Sequence, residues 1–291
     1  MPAQQSVRLN VDGAGDPEDY WNDVALCNQV RINGAAILQP LKWNETKAIV
    51  HLIGGTTGSE DLPTGLIQKM DLNSDRTLQW VTSGNLKIPR KNANCVNLPD
   101  GKVLITGGNQ YGERETFVSI PEMYDPETGE TEMMAAMSYP RWYHSTAIIL
   151  PDATVLASGG DNQAGYPNTN TFEVYNPGYL HDGDRPVITY IETQDLSYGQ
   201  EFNINVSHQI TEAIIIKLGF PTHGFDQSQR AIYLNCEEQV VEGLYKLTAP
   251  ANGSIAPPGF YMLFVLRPIT ASTSGTNKIP SVAKFIKLII N

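Results

Sequence analysis

The chain has 291 residues and a formal net charge of −11, so two domains fit its length, and nucleic acid and anionic membrane surfaces would repel it. Its 25 glycines, 19 prolines and 13 tyrosines, with 41% hydrophobic and 18% charged residues, favour a turn-rich, all-β protein over a helical or disordered one.

Residues 1–24 are predicted to form an acidic N-terminal segment. Residues 1–19 are polar and unlike a secretory signal, so the sequence gives no compartment. The longest apolar runs, at 214–216 and 261–266, are much shorter than a membrane span. We therefore expect no membrane partner.

An internal repeat follows the N-terminal segment. A short apolar strand ends in a glycine pair three times, at 54–55, 107–108 and 159–160. A later strand in each unit carries Met-Asp, Tyr-Asp-Pro or Tyr-Asn-Pro. A double glycine with a period near 50 is typical of the four-stranded kelch blade, because glycine permits a tight turn between strands. The sequence predicts three propeller blades over residues 25–178; the alternative is three similar hairpins in a sandwich.

A second domain is predicted over residues 179–291, after a linker rich in glycine and aspartate. Seven short segments separated by turns have the pattern of strands, which is typical of an immunoglobulin-like β-sandwich. The predicted strands are 187–192, 201–206, 212–218, 231–235, 243–248, 260–266 and 282–290.

The three cysteines, Cys27, Cys95 and Cys236, are widely spaced and form no CxxC pair. This spacing indicates neither a disulfide framework nor a thiolate zinc site. We expect buried free thiols, because cysteine commonly behaves as a small hydrophobic residue.

Two segments contain residues suited to metal binding. Tyr143 and His144 are adjacent, so on a regular strand they would face opposite ways, and both reach one metal only at a strand end or bend. His223 lies between two predicted strands, in the connection of a hairpin. The ordinary alternatives are rings satisfied by backbone groups for the first pair and a surface histidine for the second.

Four segments together resemble the galactose oxidase and glyoxal oxidase family in order and spacing. They are PRWYHS at 140–145 followed by LPD at 150–152, PTHGFDQSQR at 221–230, PGFYMLFV at 258–265 and IPSVA at 279–283. The resemblance extends over residues 25–290. It implies an all-β fold in which a partial kelch-type propeller precedes the family's early-set immunoglobulin-like domain.

The resemblance also implies a mononuclear copper on the propeller axis. By motif, Tyr143 would be the axial phenol ligand and catalytic proton acceptor, and His144 and His223 the two imidazole ligands. Two imidazoles with oxygen ligands in a tetragonal arrangement favour Cu(II). The implied reaction is the oxidation of a small primary alcohol, aldehyde or carbohydrate by O2, with release of hydrogen peroxide.

The family's second redox group, a tyrosine joined to a cysteine, is not identifiable in this sequence. Alignment of the second blade with the third places Asn92 at the position of Tyr143, Ala93 at that of His144 and Cys95 at that of Thr146. The repeat thus offers no substitute tyrosine, and we expect no turnover by this chain alone.

Three blades leave open strand edges, because propellers close with about four to eight blades. We therefore expect a fragment that further blades complete, or association with another copy. The alternative function, from a different class, is a non-catalytic kelch and immunoglobulin-like module that binds carbohydrate or protein.

Overall fold

The computed structural model describes residues 5–9, 21–27, 31–45, 47–57, 62–72, 78–110, 116–160, 169–269 and 277–290. In and just beyond the predicted N-terminal segment it contains two antiparallel strands, β1 (Gln5–Leu9) and β2 (Trp21–Leu26), so β2 crosses the predicted boundary at residue 24. The rest of residues 1–24 lies outside the described residues. No helix in the described ranges has the length and apolar character that a membrane span requires.

Three antiparallel sheets follow, one for each repeat. Their strands and the small β5–β6 pair beside the first sheet are β3 (Ala35–Leu38), β4 (Ile49–Ile53), β5 (Thr56–Thr57), β6 (Leu62–Pro63), β7 (Leu66–Asp71), β8 (Val81–Asn85), β9 (Asn94–Asn97), β10 (Val103–Thr106), β11 (Glu122–Tyr124), β12 (Thr131–Met133), β13 (Ser145–Ile149), β14 (Val155–Gly159) and β15 (Phe172–Tyr175). The sheets have the orders β3-β4-β7-β8, β9-β10-β11-β12 and β13-β14-β15. The predicted partial propeller of three blades is confirmed, although the third blade has three described strands.

The first two glycine pairs lie where one blade meets the next. Gly54 and Gly55 both have positive φ, and a Cβ at Gly54 would overlap the carbonyl oxygen of Arg90 in the following blade. The same overlap would arise between Gly107 and Arg141. Only glycine combines this backbone conformation with so close a contact, which explains why the pair recurs.

An arginine fixes each blade from inside; it is fully buried in blades 2 and 3 and half-buried in blade 1. In blade 2, the Arg90 guanidinium donates to the carbonyl oxygen of Gly107 at 3.2 Å and forms a 2.6 Å ion pair with Glu122, both side chains being fully buried. Arg31 and Arg141 donate to the corresponding glycine carbonyls of blades 1 and 3. The three blades therefore repeat the same arginine-to-glycine hydrogen bond as well as the same strands.

A buried polar cluster joins blades 1 and 2. His51 Nδ1 lies 3.1 Å from the hydroxyl of Tyr124, and His51 Nε2 lies 2.9 Å from Gln39 Oε1. Burial, with Lys69 nearby, lowers the pKa of His51 from 6.5 to about 4. The ring is therefore neutral near pH 7 and serves as a structural hydrogen-bonding group.

A 3-10 helix (Gly178–Leu180) leads into the second domain. Its strands are β16 (Ile188–Ile191), β17 (Asp195–Ser197), β18 (Glu201–Val206), β19 (Glu212–Lys217), β20 (Pro221–Thr222), β21 (Phe225–Asp226), β22 (Ala231–Glu238), β23 (Leu244–Thr248), β24 (Gly259–Pro268), β25 (Lys278–Pro280) and β26 (Lys284–Ile289). One sheet has the order β16-β18-β23-β22 and the other β22-β19-β24-β26-β17, with β25 on β24. Strand β22 belongs to both, which closes the predicted sandwich.

The sheet that contains β19 and β24 is buried on both faces. On β19, Ile215 points into the sandwich core, whereas its neighbour Ile214 packs with Val96 of blade 2 and Ile149 of blade 3. Strands buried on both faces have continuous apolar sequences instead of alternating ones. The runs at 214–216 and 261–266 therefore arise from contact between sandwich and propeller.

Candidate metal centre

Tyr143 and His144 occupy the middle of a turn immediately before β13. The Ser145 amide donates to the carbonyl oxygen of Trp142 at 2.9 Å, and His144 has φ of 61°. A positive φ at this third position is what a type II turn requires. The turn stacks the two rings, with centroids 4.0 Å apart and planes at 24°, so the adjacent side chains lie on the same side.

His223 lies at the tip of a short hairpin inserted between β19 and β22. Strands β20 and β21 pair antiparallel across the two-residue loop His223-Gly224, whose φ values are 53° and 75°. Positive φ at both positions defines the type I′ turn of tight hairpins, and histidine is among the residues that tolerate this conformation. The predicted position of His223 in a hairpin connection is confirmed.

This hairpin is held against the inner strands of the propeller. The Gln229 side chain bonds the β3 backbone twice, with Nε2 donating to Ala36 O at 2.7 Å and Oε1 accepting from Leu38 N at 2.6 Å. A Cβ at Gly224 would lie only 2.6 Å from the carbonyl oxygen of Ala93 in blade 2. The sequence pattern identified this segment but gave no role to Gln229, because a side chain that bonds a distant strand leaves no local periodicity.

The turn and the hairpin bring the three predicted residues together. His144 Nε2 and His223 Nε2 are 3.0 Å apart, and the two rings are nearly perpendicular at 88°. The Tyr143 ring lies 5.4 Å from that of His223, edge to face. Both histidines are exposed and Tyr143 is half-buried, so the cluster is accessible to small molecules.

Thr222 contributes a contact that sequence reasoning missed. Its Oγ1 lies 2.7 Å from His223 Nδ1. If Nδ1–H donates to the hydroxyl oxygen, the lone pair of Nε2 faces His144. A hydrogen bond at the remote nitrogen is the usual way in which a protein fixes the tautomer of a ligating imidazole.

The donor set fits a copper ion. Two nitrogens at right angles, each about 2.0–2.1 Å from one metal, are roughly 2.9 Å apart, close to the 3.0 Å between the Nε2 atoms. Among the described residues, no group of three or more His, Cys, Asp or Glu side chains is arranged to hold a metal. The candidate ligands are thus two imidazoles and a phenol, a set that suits copper better than magnesium or calcium.

The structure corrects the alignment of blade 2 with blade 3 by one residue. Asn94 pairs with the residue before Gly107, and Thr146 pairs with the residue before Gly159, so these two positions correspond. Two residues earlier, Asn92 therefore corresponds to His144, and both have positive φ. The predicted equivalence of Asn92 with Tyr143 was wrong.

Lys91 takes the position of Tyr143 in blade 2, and Cys95 corresponds to Ala147. The shift arises because Asn94 is four residues after Arg90, whereas its equivalent Thr146 is five residues after Arg141, and the turn before β13 accommodates the extra residue. The conclusion that the repeat offers no substitute tyrosine still holds, since the blade 2 residue equivalent to Tyr143 is a lysine.

The cysteines are free, as predicted. Cys27 and Cys95 are buried, whereas Cys236 is only half-buried. Burial raises the pKa of Cys95 to about 12, and burial with nearby glutamates does the same for Cys236. These two thiols are therefore protonated near neutral pH.

Family models match most of the chain. The model described as "Glyoxal oxidase N-terminus" matches residues 34–179, and "Galactose oxidase-like, Early set domain" matches residues 185–288. The chain belongs to the galactose oxidase and glyoxal oxidase family. The resemblance of the four sequence segments is thereby confirmed.

Two curated relatives illustrate the match. A galactose oxidase of Gibberella zeae is 34% identical over 216 residues, covering 71% of this chain and 30% of that protein. The "Aldehyde oxidase GLOX" of Vitis pseudoreticulata is 29% identical over 289 residues, covering 88% of this chain and 53% of its own length. The chain thus spans about a third to a half of these relatives.

A solved structure has the same fold. A fungal alcohol oxidase, determined in complex with copper, superposes with a TM-score of 0.84 at 24% identity, covering 99% of this chain and 60% of that chain. At this identity the likeness establishes the fold, and the site residues of this chain are argued from their own geometry.

Proposed function

We propose that this chain supplies Tyr143, His144 and His223 as ligands of the copper centre of an oxidase that acts on primary alcohols or aldehydes. The observation that carries the proposal is the 3.0 Å approach of the two Nε2 atoms. They come from two regions about 80 residues apart that a turn and an anchored hairpin bring together.

The proposed reaction transfers two electrons and two protons from the substrate to O2, giving an aldehyde and hydrogen peroxide from a primary alcohol. Copper, together with the family's cysteine-linked tyrosine, would supply the two one-electron steps. Tyr143 would accept the proton of the substrate hydroxyl, a positioned-base effect worth about 10²–10⁴-fold in rate. His144 and His223 would hold the metal beside it, at an exposed position that a small alcohol, aldehyde or carbohydrate can approach.

We infer that the described residues do not complete this reaction by themselves. Among them no cysteine joins His144 and His223 in a possible metal-binding group. Two-electron oxidation by a one-electron metal requires a second redox group, which further blades or another chain would bring. The chain is expected to bind copper but to release no peroxide alone.

Copper titration and a peroxide assay test the two parts separately. The wild-type chain and the His144→Ala, His223→Ala and Tyr143→Phe variants are titrated with Cu(II), with His181→Ala at an exposed histidine as matched control. Weakened binding in both histidine variants, but not in the control, supports the site. Unchanged binding contradicts it. Sustained copper-dependent peroxide from galactose, glyoxal or simple alcohols, abolished by Tyr143→Phe, would contradict the inferred need for a second redox group.

Self-association is the proposed consequence of the open propeller. Strand β15 is the outermost described strand of blade 3, and Phe172 and Val174 on it are 69% and 44% exposed. Exposed edges with apolar side chains invite strand pairing. Light scattering is expected to show oligomers that Val174→Lys reduces. A wild-type chain that remains monomeric at all concentrations would contradict this.

A further inference from the structure

A cavity of about 500 Å³ lies between the propeller and the sandwich. It is far from the candidate metal centre, because the inner strand β9 begins next to the His223 hairpin and ends at Asn97, and the turn that follows, with Asp100 and Gly101, lines the cavity. The volume lies within the range of about 300–1,000 Å³ for ligand pockets, which favour domain interfaces.

The charged side chains around this interface cavity are largely compensated. Lys42 pairs with Glu127 at 2.8 Å, and Lys278 pairs with Glu212 at 2.8 Å. Asp100 Oδ1 accepts a hydrogen bond from the backbone amide of Lys102 at 3.2 Å. With Lys102 and Asp125 included, the lining carries three lysines and four carboxylates, so a ligand that entered would find many donors and acceptors and nearly balanced charge. This favours a neutral polar molecule over a highly charged ion.

Trp43 and Tyr233 add aromatic surface to the same wall. Both also line a second cavity of about 550 Å³, with mostly apolar surroundings that include Leu41 and Ile255. Aromatic side chains combine a broad apolar face with a polar tip, and so can contact a molecule that has both hydroxyl groups and apolar C–H faces. Since the two cavities share Trp43, the ligand can extend along both sides of it.

The loop that carries Trp43 is fixed to the sandwich. The Leu41 amide donates to the carbonyl oxygen of Ala231, and the Tyr233 amide donates to that of Leu41, both at 2.8 Å. This strand-like pairing with β22 holds the aromatic wall in place before any ligand arrives. A pre-formed site loses less entropy on binding.

We propose that the interface cavity is a binding site for a neutral oligosaccharide of at least two rings, centred on Trp43. This site does not rest on the copper centre or on the proposed oxidase function. It would hold a carbohydrate chain at the end of the propeller remote from the two histidines.

The test is titration of the full chain with maltotriose, cellotriose and chitotriose, followed by calorimetry and tryptophan fluorescence. Spermine and citrate serve as cationic and anionic probes. At least one trisaccharide is expected to bind saturably, with Kd between about 10 µM and 1 mM. Trp43→Ala should weaken binding at least about tenfold, which is 1.4 kcal/mol, and Trp43→Phe should weaken it less.

Two controls locate the site. Trp80→Ala removes a tryptophan outside both cavities, and His144→Ala disables the candidate metal centre; both should bind the trisaccharide like the wild type. A thermal melt checks that each variant is folded. The proposal is overturned if no trisaccharide binds at roughly 10 mM, if only spermine or citrate binds, or if both Trp43 variants bind normally. Loss of binding in His144→Ala would also overturn it, by assigning the sugar to the metal centre.

Discussion

Blades 2 and 3 share one backbone but differ in what they place before their first strands. Asn92 and His144 occupy the same position, both with positive φ. In blade 2 the Asn92 amide Nδ2 donates to Asn109 Oδ1 at 3.0 Å and remains within the blade. In blade 3 the imidazole instead faces His223 from the other domain. The two blades therefore place this residue at the same backbone position. Its side chain decides whether the position forms a structural hydrogen bond, as in blade 2, or a candidate metal ligand, as in blade 3.

The buried arginines of the two blades differ in how well their ion pairs are formed. The Arg90–Glu122 pair of blade 2 is fully buried at 2.6 Å, whereas Arg141–Glu173 of blade 3 is longer at 3.4 Å, and the Glu173 side chain is 22% exposed. Arg141 Nε also has no hydrogen-bond partner among the described residues. The arginine of blade 2 is therefore better satisfied than that of blade 3, and blade 3 carries the candidate chemistry.

Removal of the blade 2 ion pair should have the largest effect on stability. Arg90→Met leaves Glu122 buried without its partner, which should cost about 3–5 kcal/mol of unfolding free energy. Arg141→Met should cost less, because water reaches Glu173. Urea denaturation measures both, with Lys42→Met at an exposed ion pair as control, expected to change stability by no more than about 1 kcal/mol. Equal losses of unfolding free energy in Arg90→Met and Arg141→Met would contradict the inferred difference between the two ion pairs.

Acid should loosen the contact between blades 1 and 2. The pKa of His51 is lowered from 6.5 to about 4 in the folded chain, so its contribution to stability is complete above pH 6.5 and is lost as the pH falls towards 4. This difference corresponds to about 3 kcal/mol. Urea midpoints between pH 7 and 4 should show the loss in the wild type and much less of it in His51→Gln. His181→Gln, at an exposed histidine, serves as control and should lose stability like the wild type. If His51→Gln loses as much stability between pH 7 and 4 as this control, the loss belongs to other titrating groups.

Loss of the Thr222 hydroxyl should weaken copper binding without removing a ligand. Thr222→Val keeps the side-chain shape but cannot bond His223 Nδ1, so copper affinity should fall about 10–100-fold. Thr222→Ser should retain the hydrogen bond and most of the affinity. Competitive Cu(II) titration decides this, and equal affinity in the valine and serine variants would mean that Thr222 does not orient the ring.

The smallest effect is expected at the blade 2 counterpart of His144. Asn92→Ala places a Cβ-bearing residue without a local hydrogen bond at positive φ, which should cost about 1 kcal/mol, and Asn92→Gly should cost less. Neither should change copper affinity. A drop in copper affinity in these variants would show that blade 2 contributes directly to the site.

The sequence predicted the main architecture because its signals are local or periodic. The glycine pairs marked the blades, and all seven strands predicted for the sandwich are present within a few residues. Strands β17 and β25, of three residues each, are too short to leave a pattern, and the β20–β21 hairpin lay inside a segment predicted as a connection. The roles of Tyr143, His144 and His223 came from the resemblance, and the structure brings the three side chains together.

The one-residue error between blades 2 and 3 has a physical cause. The two copies of the Pro-Arg motif, at 89–90 and 140–141, are 51 residues apart. The two copies of the Leu-Pro-Asp motif, at 98–100 and 150–152, are 52 residues apart. The sequence does not show where the extra residue is absorbed. It is absorbed by the turn that stacks Tyr143 on His144, so the irregularity of the repeat coincides with the candidate site.

Cu(II) EPR of His144→Ala, His223→Ala and the double variant tests most directly whether the two histidines hold one ion. The wild-type spectrum should be that of a tetragonal ion coupled to two imidazole nitrogens. Each single variant should lose one coupled nitrogen and more affinity than the roughly 10–100-fold cost of losing a supporting hydrogen bond. The losses should not add in the double variant, because both ligands serve the same ion. Spectra and affinities unchanged by either substitution would contradict the shared site.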